Sequence, residues 1–386
     1  MRLLSEQEIK KTELLTSLNV EVAYIEPTAT GLNKSIMDAT QSVRYFLSSN
    51  DLHDFALQKQ GPDAKVIIEA NILTVERAIH TTISLYRPTT KKGDPRIWIS
   101  GINKYCKAND IIALIAYRGG IYAFNLTSNS LAQMQEGLLG EITKASGAYA
   151  SNTADELLAL IRGITSKGFI ESEFRGDTAV GRLLEHELGI PINSSKSPDY
   201  KGIELKSFRS ERKNRSNLFA QVPNWQISKF KSSLEILNNF GYYREEVHKL
   251  YCTVSSKNFN SQSLRLKVSS NTNRLIEYSS RQDVGDFVAW DMDTLRQRLT
   301  QKHNETFWVE ADVKREGNKE SFRFTKVEHT RRPIMSQLEV LLAQGEISLD
   351  HLIKAKGRTA VEKGPIFKLS HNSLGLLFPP SEKYIL

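Results

Sequence analysis

Apolar and polar positions alternate along this chain in two rhythms. Apolar residues three to four apart mark helix faces, and short apolar runs or strict alternation mark strands. MRLLSEQEIKKTELLTSL follows the first rhythm and predicts an amphipathic helix over about residues 5–17. KSIMDATQSVRYFLSS, residues 34–49, keeps a helical period through Ile36, Ala39, Val43 and Phe46, which predicts a single helix. KVIIEAN at 65–71 predicts a strand. YRPTTKKGDPRIWI at 86–99 is punctuated by Pro88, Gly93 and Pro95 and resumes as a strand at Ile97, Trp98 and Ile99. IIALIAY and IYAFNL flank RGG, so a hairpin is expected over 111–126 with Gly119 and Gly120 in its turn.

From 127 to 151 small and polar residues take over. A linker is therefore expected at 126–151, between an N-terminal α/β domain at 1–125 and a second unit at 152–386. ADELLALIRGI predicts a helix at 154–164, TFWVEADV at 306–313 and SFRFTKV at 321–327 alternate as a strand pair, and a helix at 334–344 stops at Gly345. The second unit therefore reads as α+β.

Composition narrows the function. The 386 residues are 40% hydrophobic, enough for two ordinary domains. No run approaches 18 apolar residues, so no membrane helix is expected. Glu6, Glu8 and Glu13 interrupt the N-terminal apolar positions, which suits a helix and not a secretory signal. Cys106 and Cys252 form neither a zinc pattern nor a disulfide framework, which fits a cytoplasmic location. No P-loop, dinucleotide fingerprint or helicase motif is found, so no nucleotide cofactor is expected. The net charge of +8 permits a polyanionic partner without requiring one.

The chemistry concentrates in SPDYKGIELKSFR, residues 197–209. Pro198 and Gly202 punctuate a turn, and Ile203 to Lys206 run as a strand. Alternation sends Ile203 and Leu205 to a core and Glu204 and Lys206 to the opposite face. Asp199 reaches that face across the turn. Two close carboxylates repel, a divalent cation removes the conflict, and Mg²⁺ uses one or two carboxylates beside water and phosphate. Lys206 could then orient or deprotonate an attacking water, or offset charge on a phosphate. The bare pattern also fits an exposed strand with a surface Glu–Lys pair. Its flanks bear on the choice. GDTAVGRLLEHELGIPIN upstream predicts a helix with Val180, Leu183, Leu184 and Leu188 on one side, Gly189 at its end and Glu185 as a third acid. From Lys196 to Arg215 seven basic residues face three acids, as expected beside a nucleic-acid backbone.

GDTAVGRLLEHELGIPINSSKSPDYKGIELKSFR resembles the signature of the MvaI/BcnI restriction endonucleases. These are similar to the nicking enzyme MutH and belong to the PD-(D/E)XK nuclease superfamily. Gly181, Leu184-Glu185, Leu188-Gly189-Ile190, Pro198-Asp199 and Gly202 to Lys206 carry the likeness. LFAQVPNW, FWVEADV and EKGPIFKL fit in kind, so it spans about 152–386. Leu183 departs from the threonine common in the family, at a position that is not a ligand. The resemblance implies a restriction-endonuclease core with a mixed central sheet flanked by helices. It makes Asp199, Glu204 and the Leu205 carbonyl metal ligands, Lys206 the catalytic lysine and Glu185 a supporting acid. It implies Mg²⁺, with Mn²⁺ able to substitute, and hydrolysis of double-stranded DNA to 5′-phosphate ends by a monomer or weak homodimer. A restriction enzyme is the first reading, a MutH-like nickase steered by partner proteins the alternative, and a non-catalytic DNA-binding protein on the same fold a third.

DNA contacts are expected from Arg209, Arg212, Lys213, Arg215, Asn217, Arg358 and Lys363, with His329, Arg331, Arg332 and His371 as further base-reading candidates. The basic and aromatic residues Tyr86, Arg87, Lys91, Lys92, Arg96 and Trp98 suit either a nucleic-acid surface or a structural turn and strand.

Overall fold

A computed structural model describes residues 1–17, 21–74, 77–117, 120–130, 132, 152–191, 198–211, 215–362 and 364–386. Most of the expected linker at 126–151 lies outside the described residues.

The first helix, α1 (Glu6–Thr16), starts where its chemistry dictates. The Ser5 hydroxyl accepts from the Glu8 N–H, and the Glu8 carboxylate accepts from the Ser5 N–H, a reciprocal cap. The stretch expected as one helix at 34–49 is instead α2 (Ala29–Lys34), a strand, and α3 (Gln41–Ser49). Ser35 turns left-handed at φ 52° and ends α2, and Met37 then pairs with Ile97. Sheet pairing overrides the helical period here.

Seven strands form the N-terminal sheet: β1 (Val22–Ile25), β2 (Met37–Asp38), β3 (Val66–Leu73), β4 (Ala78–Tyr86), β5 (Arg96–Ile99), β6 (Ile112–Tyr117) and β7 (Gly120–Asn125). Their order is β1-β6-β7-β3-β4-β5-β2, with β3 and β7 parallel. One face packs Ile72, Ile83, Ile97 and Leu114 against Val43, Phe46 and Leu47 of α3. Part of the other face buries Leu15 of α1 with Tyr24, Ile115 and Phe124.

Next come α4 (Asn152–Thr165), β8 (Ile170–Glu171), α5 (Ala179–Glu187), β9 (Glu204–Arg209), β10 (Ser216–Ala220), α6 (Ser233–Phe240), β11 (Tyr242–Arg244), β12 (Val247–Val254), β13 (Leu264–Ser269), β14 (Arg274–Ser279) and β15 (Asp286–Asp291). The chain continues through α7 (Met292–His303), β16 (Glu305–Glu316), β17 (Lys319–Arg331), α8 (Met335–Gln344), β18 (Ile347–Lys356), β19 (Thr359–Glu362), β20 (Ile366–Leu369), α9 (Leu374–Leu377) and β21 (Glu382–Ile385).

The sheet that carries the motif runs β21-β17-β16-β9, with β8 also on β17. The expected strand pair is the long antiparallel hairpin β16–β17, and β9 joins β16 in parallel. Leu157 and Ile161 of α4, and Val180, Leu183 and Leu184 of α5, bury against Ile203, Leu205, Phe307, Val309, Phe322 and Phe324. At roughly 1.5–3 kcal/mol per fully buried large apolar side chain, this core holds α5 and β9 together. A second sheet, β10-β20-β18-β12-β11 with β19 on β18, and the ribbon β13-β14-β15 share a further core with α7 and α8. Gly345 is left-handed at φ 68° and ends α8, as expected from the sequence.

Contacts from the N-terminal part converge on α8, which is almost wholly buried. The Leu4 N–H donates to Gln344 Oε1 at 2.6 Å, and the Ser336 hydroxyl donates to Glu21 Oε2 at 2.7 Å. Arg44 donates to the Ser270 carbonyl at 2.8 Å. Arg87 donates to the carbonyls of Phe55, Gln58 and Gly93, and Arg96 pairs with Asp38, so both arginines serve the fold of this part. Among the described residues no helix is long and apolar enough to cross a membrane.

Candidate active site

The turn ahead of β9 places the acids. Tyr200 and Ile203 exchange backbone hydrogen bonds across Lys201 and Gly202. Gly202 has φ 95°, a conformation open to glycine and strained for other residues. The turn folds Asp199 back so that its Oδ2 accepts the Leu205 N–H at 2.9 Å. Ile203 and Leu205 enter the core, and Glu204 and Lys206 leave the strand on the opposite face, as alternation requires.

The Glu204 side chain is fully buried. One carboxylate oxygen pairs with the Lys206 ammonium, and the other accepts from Lys302 Nζ at 2.9 Å. Lys302 comes from the last turn of α7, and the sequence motif gives no hint of it. Its neighbour His303 is buried and stacks on Trp308 with ring centroids 5.5 Å apart. His303 Nε2 donates to the Leu218 carbonyl at 2.7 Å, and Nδ1 accepts from the Thr306 hydroxyl at 3.0 Å. Burial, then the nearby Lys206 charge, pushes the His303 imidazole down to about 3, so it stays neutral.

Burial, then the charge of Glu204, raises the Asp199 carboxyl. Burial, then the charge of Asp199, raises Glu185, which stands on α5. Three acids thus converge with two lysines. Among the described residues no group of three or more histidine, cysteine or acidic side chains is placed to hold a metal ion. A hard cation that takes one or two carboxylates and completes its shell with carbonyl, water and phosphate oxygens fits this donor set, and its charge relieves the repulsion between the acids.

Lys206 opens into a cleft of about 890 Å³ whose lining includes Asn217, Lys326, Lys368, His371 and Lys383. The expected DNA contacts fall into different surroundings. Arg209 lines the cleft but is 3% exposed. Its guanidinium donates to the carbonyls of Gly176 and Asp177 and pairs with Glu320 at 2.6 Å. Arg215 lines the cleft and is tied to Ser348, Thr253 and Asp350. Asn217 and His371 are exposed at the cleft. Arg358 is exposed in the turn between β18 and β19, away from the cleft lining. His329 is buried against Glu305, and Arg331 pairs with Glu305 and Glu382, which leaves neither positioned to read bases. Arg212, Lys213 and Lys363 lie outside the described residues.

The family model for the MvaI/BcnI restriction endonuclease family matches residues 158–378, more than half of the chain. The chain belongs to this family. It is therefore a nuclease of the type II restriction kind, one that cleaves DNA, in a family that generally uses divalent metal ions. A solved complex of restriction endonuclease MvaI with its cognate DNA substrate aligns at 20% identity and TM-score 0.54, covering 61% of this chain and 99% of that one. The likeness shows a PD-(D/E)XK fold. A structure of MvaI in the absence of DNA aligns at 20% identity, covering 62% of this chain and 99% of that one, with TM-score 0.36. No curated protein matches. The MvaI/BcnI match begins after the N-terminal sheet, which is therefore an addition to the matched region.

Proposed function

We propose that the chain is a Mg²⁺-dependent, sequence-specific endonuclease of duplex DNA that leaves 5′-phosphate ends, with Mn²⁺ able to replace Mg²⁺. The observation that carries this reading is that Lys206, paired with the buried Glu204 beside Asp199, opens into a cleft lined by further lysines. The active unit is a monomer or weak homodimer. Residues 1–125 form a separate N-terminal domain, joined through 126–151 to the nuclease domain at 152–386.

Asp199, Glu204 and the Leu205 carbonyl would hold the ion. Once bound, it supplies Lewis-acid neutralisation of phosphate charge and acidifies water. Lys206, released from Glu204, orients the attacking water and offsets charge on the phosphate in the transition state. The Leu205 N–H fixes the Asp199 carboxylate in place. Glu185 supports the site from α5. Lys302 anchors the second oxygen of Glu204. The water oxygen bonds to phosphorus and gives up a proton, the bond to the 3′ oxygen breaks, and that oxygen takes up a proton in its place, so the step is proton-neutral. The lysines of the cleft and Asn217 contact the duplex. Arg212, Lys213, Arg358 and Lys363 are proposed as further contacts to its phosphates.

Plasmid incubated with the protein should give discrete double-strand fragments with Mg²⁺ or Mn²⁺ and none with EDTA, and sequenced ends should carry 5′ phosphates. Nicked circles alone would favour a MutH-like nicking enzyme, and cleavage undiminished by EDTA would refute the metal role.

Lys302 competes with a cation for Glu204. Lys302→Met should therefore lower the Mg²⁺ concentration that gives half-maximal cleavage, while the melting temperature falls because a buried carboxylate loses a partner. An unchanged or higher Mg²⁺ requirement would count against this role.

A further inference from the structure

The active-site cleft has a wall from outside the family's matched region. Glu13 and Ser17, at the C-terminal end of α1, line the same cavity as Lys206, Lys326, Lys368 and Lys383. Helix α1 is fixed there from several directions. Lys11 Nζ donates to the carbonyls of Leu126 and Thr127 at 2.7 and 3.1 Å. The Thr16 hydroxyl, which donates to the Thr12 carbonyl at 2.9 Å, lies 3.4 Å from the Leu376 carbonyl of α9, and Leu15 is fully buried. A helix anchored on both sides is a standing wall of the cleft.

This wall is electronegative. The carbonyl end of α1 faces the cleft without a basic residue in its last turn, and Glu13 adds a full charge. The other acids described in the cleft have partners: Glu310 lies 4.0 Å from Lys326, Glu328 accepts from Ser381 and lies 3.7 Å from Lys383, and Asp177 is engaged. The Glu13 carboxylate has no hydrogen bond or ion pair among the described residues. Such a group repels a phosphate backbone. On duplex DNA the groups that match it are the exocyclic amines on base edges, and carboxylates pair with cytosine N4.

We propose that Glu13 is a specificity-determining residue, which accepts a hydrogen bond from an exocyclic base amine, that of cytosine, when duplex DNA fills the cleft. The proposal rests on the reading of this cleft as the DNA-cleaving site. It makes the N-terminal part a component of recognition and gives the chain a base contact that the matched family region does not supply.

The test is cleavage of a randomised duplex library with Mg²⁺, followed by sequencing of the ends, for the wild type, Glu13→Ala, Glu13→Gln and Lys206→Ala, with melting temperatures as a check on folding. Glu13→Ala should lose on the order of five- to tenfold preference for cytosine at one position and keep the preferences elsewhere. Glu13→Gln should move that position towards adenine, which glutamine pairs in bidentate fashion. A Glu13→Ala profile identical to wild type overturns the proposal. So does an equal rise in cutting at every site, which would make α1 an obstacle instead of a reader. A Lys206→Ala variant that still cuts undoes the reading of the cleft itself. Loss of cutting in Lys206→Ala beside an unaltered Glu13→Ala profile undoes only the role of Glu13.

Discussion

Lys206→Ala should lose DNA cleavage by at least about a hundred- to thousandfold, the usual cost of removing one group that stabilises transition-state charge, while duplex binding in a gel-shift assay persists. Lys206 stands on the same face of β9 as Glu204 and opens into the cleft. Its ammonium is the charged group nearest the paired acids that also reaches the cavity. Other lysines line the cleft, so binding survives its removal. Lys206→Arg should not restore activity, because a planar guanidinium cannot take the place of a compact ammonium beside Glu204. Full cleavage by Lys206→Ala would show that the reacting phosphate lies elsewhere.

The second large effect concerns stability. His351 on β18 is fully buried, and its Nε2 lies 3.0 and 3.1 Å from the two carboxylate oxygens of Glu277 on β14, which is also fully buried. Glu362 approaches the other ring nitrogen at 3.7 Å. The cluster joins the sheet of β18 to the β13–β15 ribbon. Burial alone would depress the His351 imidazole, but the charge and hydrogen bond of Glu277, with help from Glu362, outweigh it and raise the group to about 10. Removing one partner of a buried ion pair strands the other, so His351→Gln should lower the unfolding free energy by about 3–5 kcal/mol in urea melts.

The pH dependence has a defined sign. The folded protein holds the His351 proton up to about pH 10, whereas the unfolded chain releases it near the ordinary value of 6.5. This stabilisation is complete below pH 6.5 and is lost as pH rises towards 10. His303 acts oppositely. Held neutral down to about 3, it favours unfolding as pH falls below 6.5, where the unfolded chain gains a proton that the fold refuses. Wild-type urea melts should therefore become shallower in midpoint on both sides of near-neutral pH. His351→Gln should lose the alkaline limb and keep the acid one. An unchanged alkaline limb in that variant would refute the assignment.

What was legible in the sequence follows from where the physics is local. Asp199, Glu204, Leu205 and Lys206 lie within one turn and one strand, so turn chemistry and two-residue alternation locate them and a family signature names them. The β16–β17 pair announces itself by the same alternation. Lys302 is invisible to such reasoning, because it reaches Glu204 from a helix 98 residues further along the chain. Nothing in TLRQRLTQKH distinguishes it from a solvated helix end. Arg209 and Arg215 looked like phosphate ligands because of their basic neighbourhood, yet the fold supplies Glu320 and Asp350 as partners from distant strands. The helical period at 34–49 was real for α3, but pairing of β2 with β5 claimed its first half. The place of Glu13 in the cleft depends on how the N-terminal sheet meets α8 and α9, a contact between segments more than 300 residues apart.

The proposed site has Asp199 and Glu204 gripping a divalent ion beside Lys206. Mn²⁺ titration followed by electron paramagnetic resonance, on the wild type, Asp199→Asn and Glu204→Gln, tests it most directly. A bound ion is expected in the wild type, with at least about tenfold weaker binding in each variant. Equal Mn²⁺ affinity in all three proteins would contradict it.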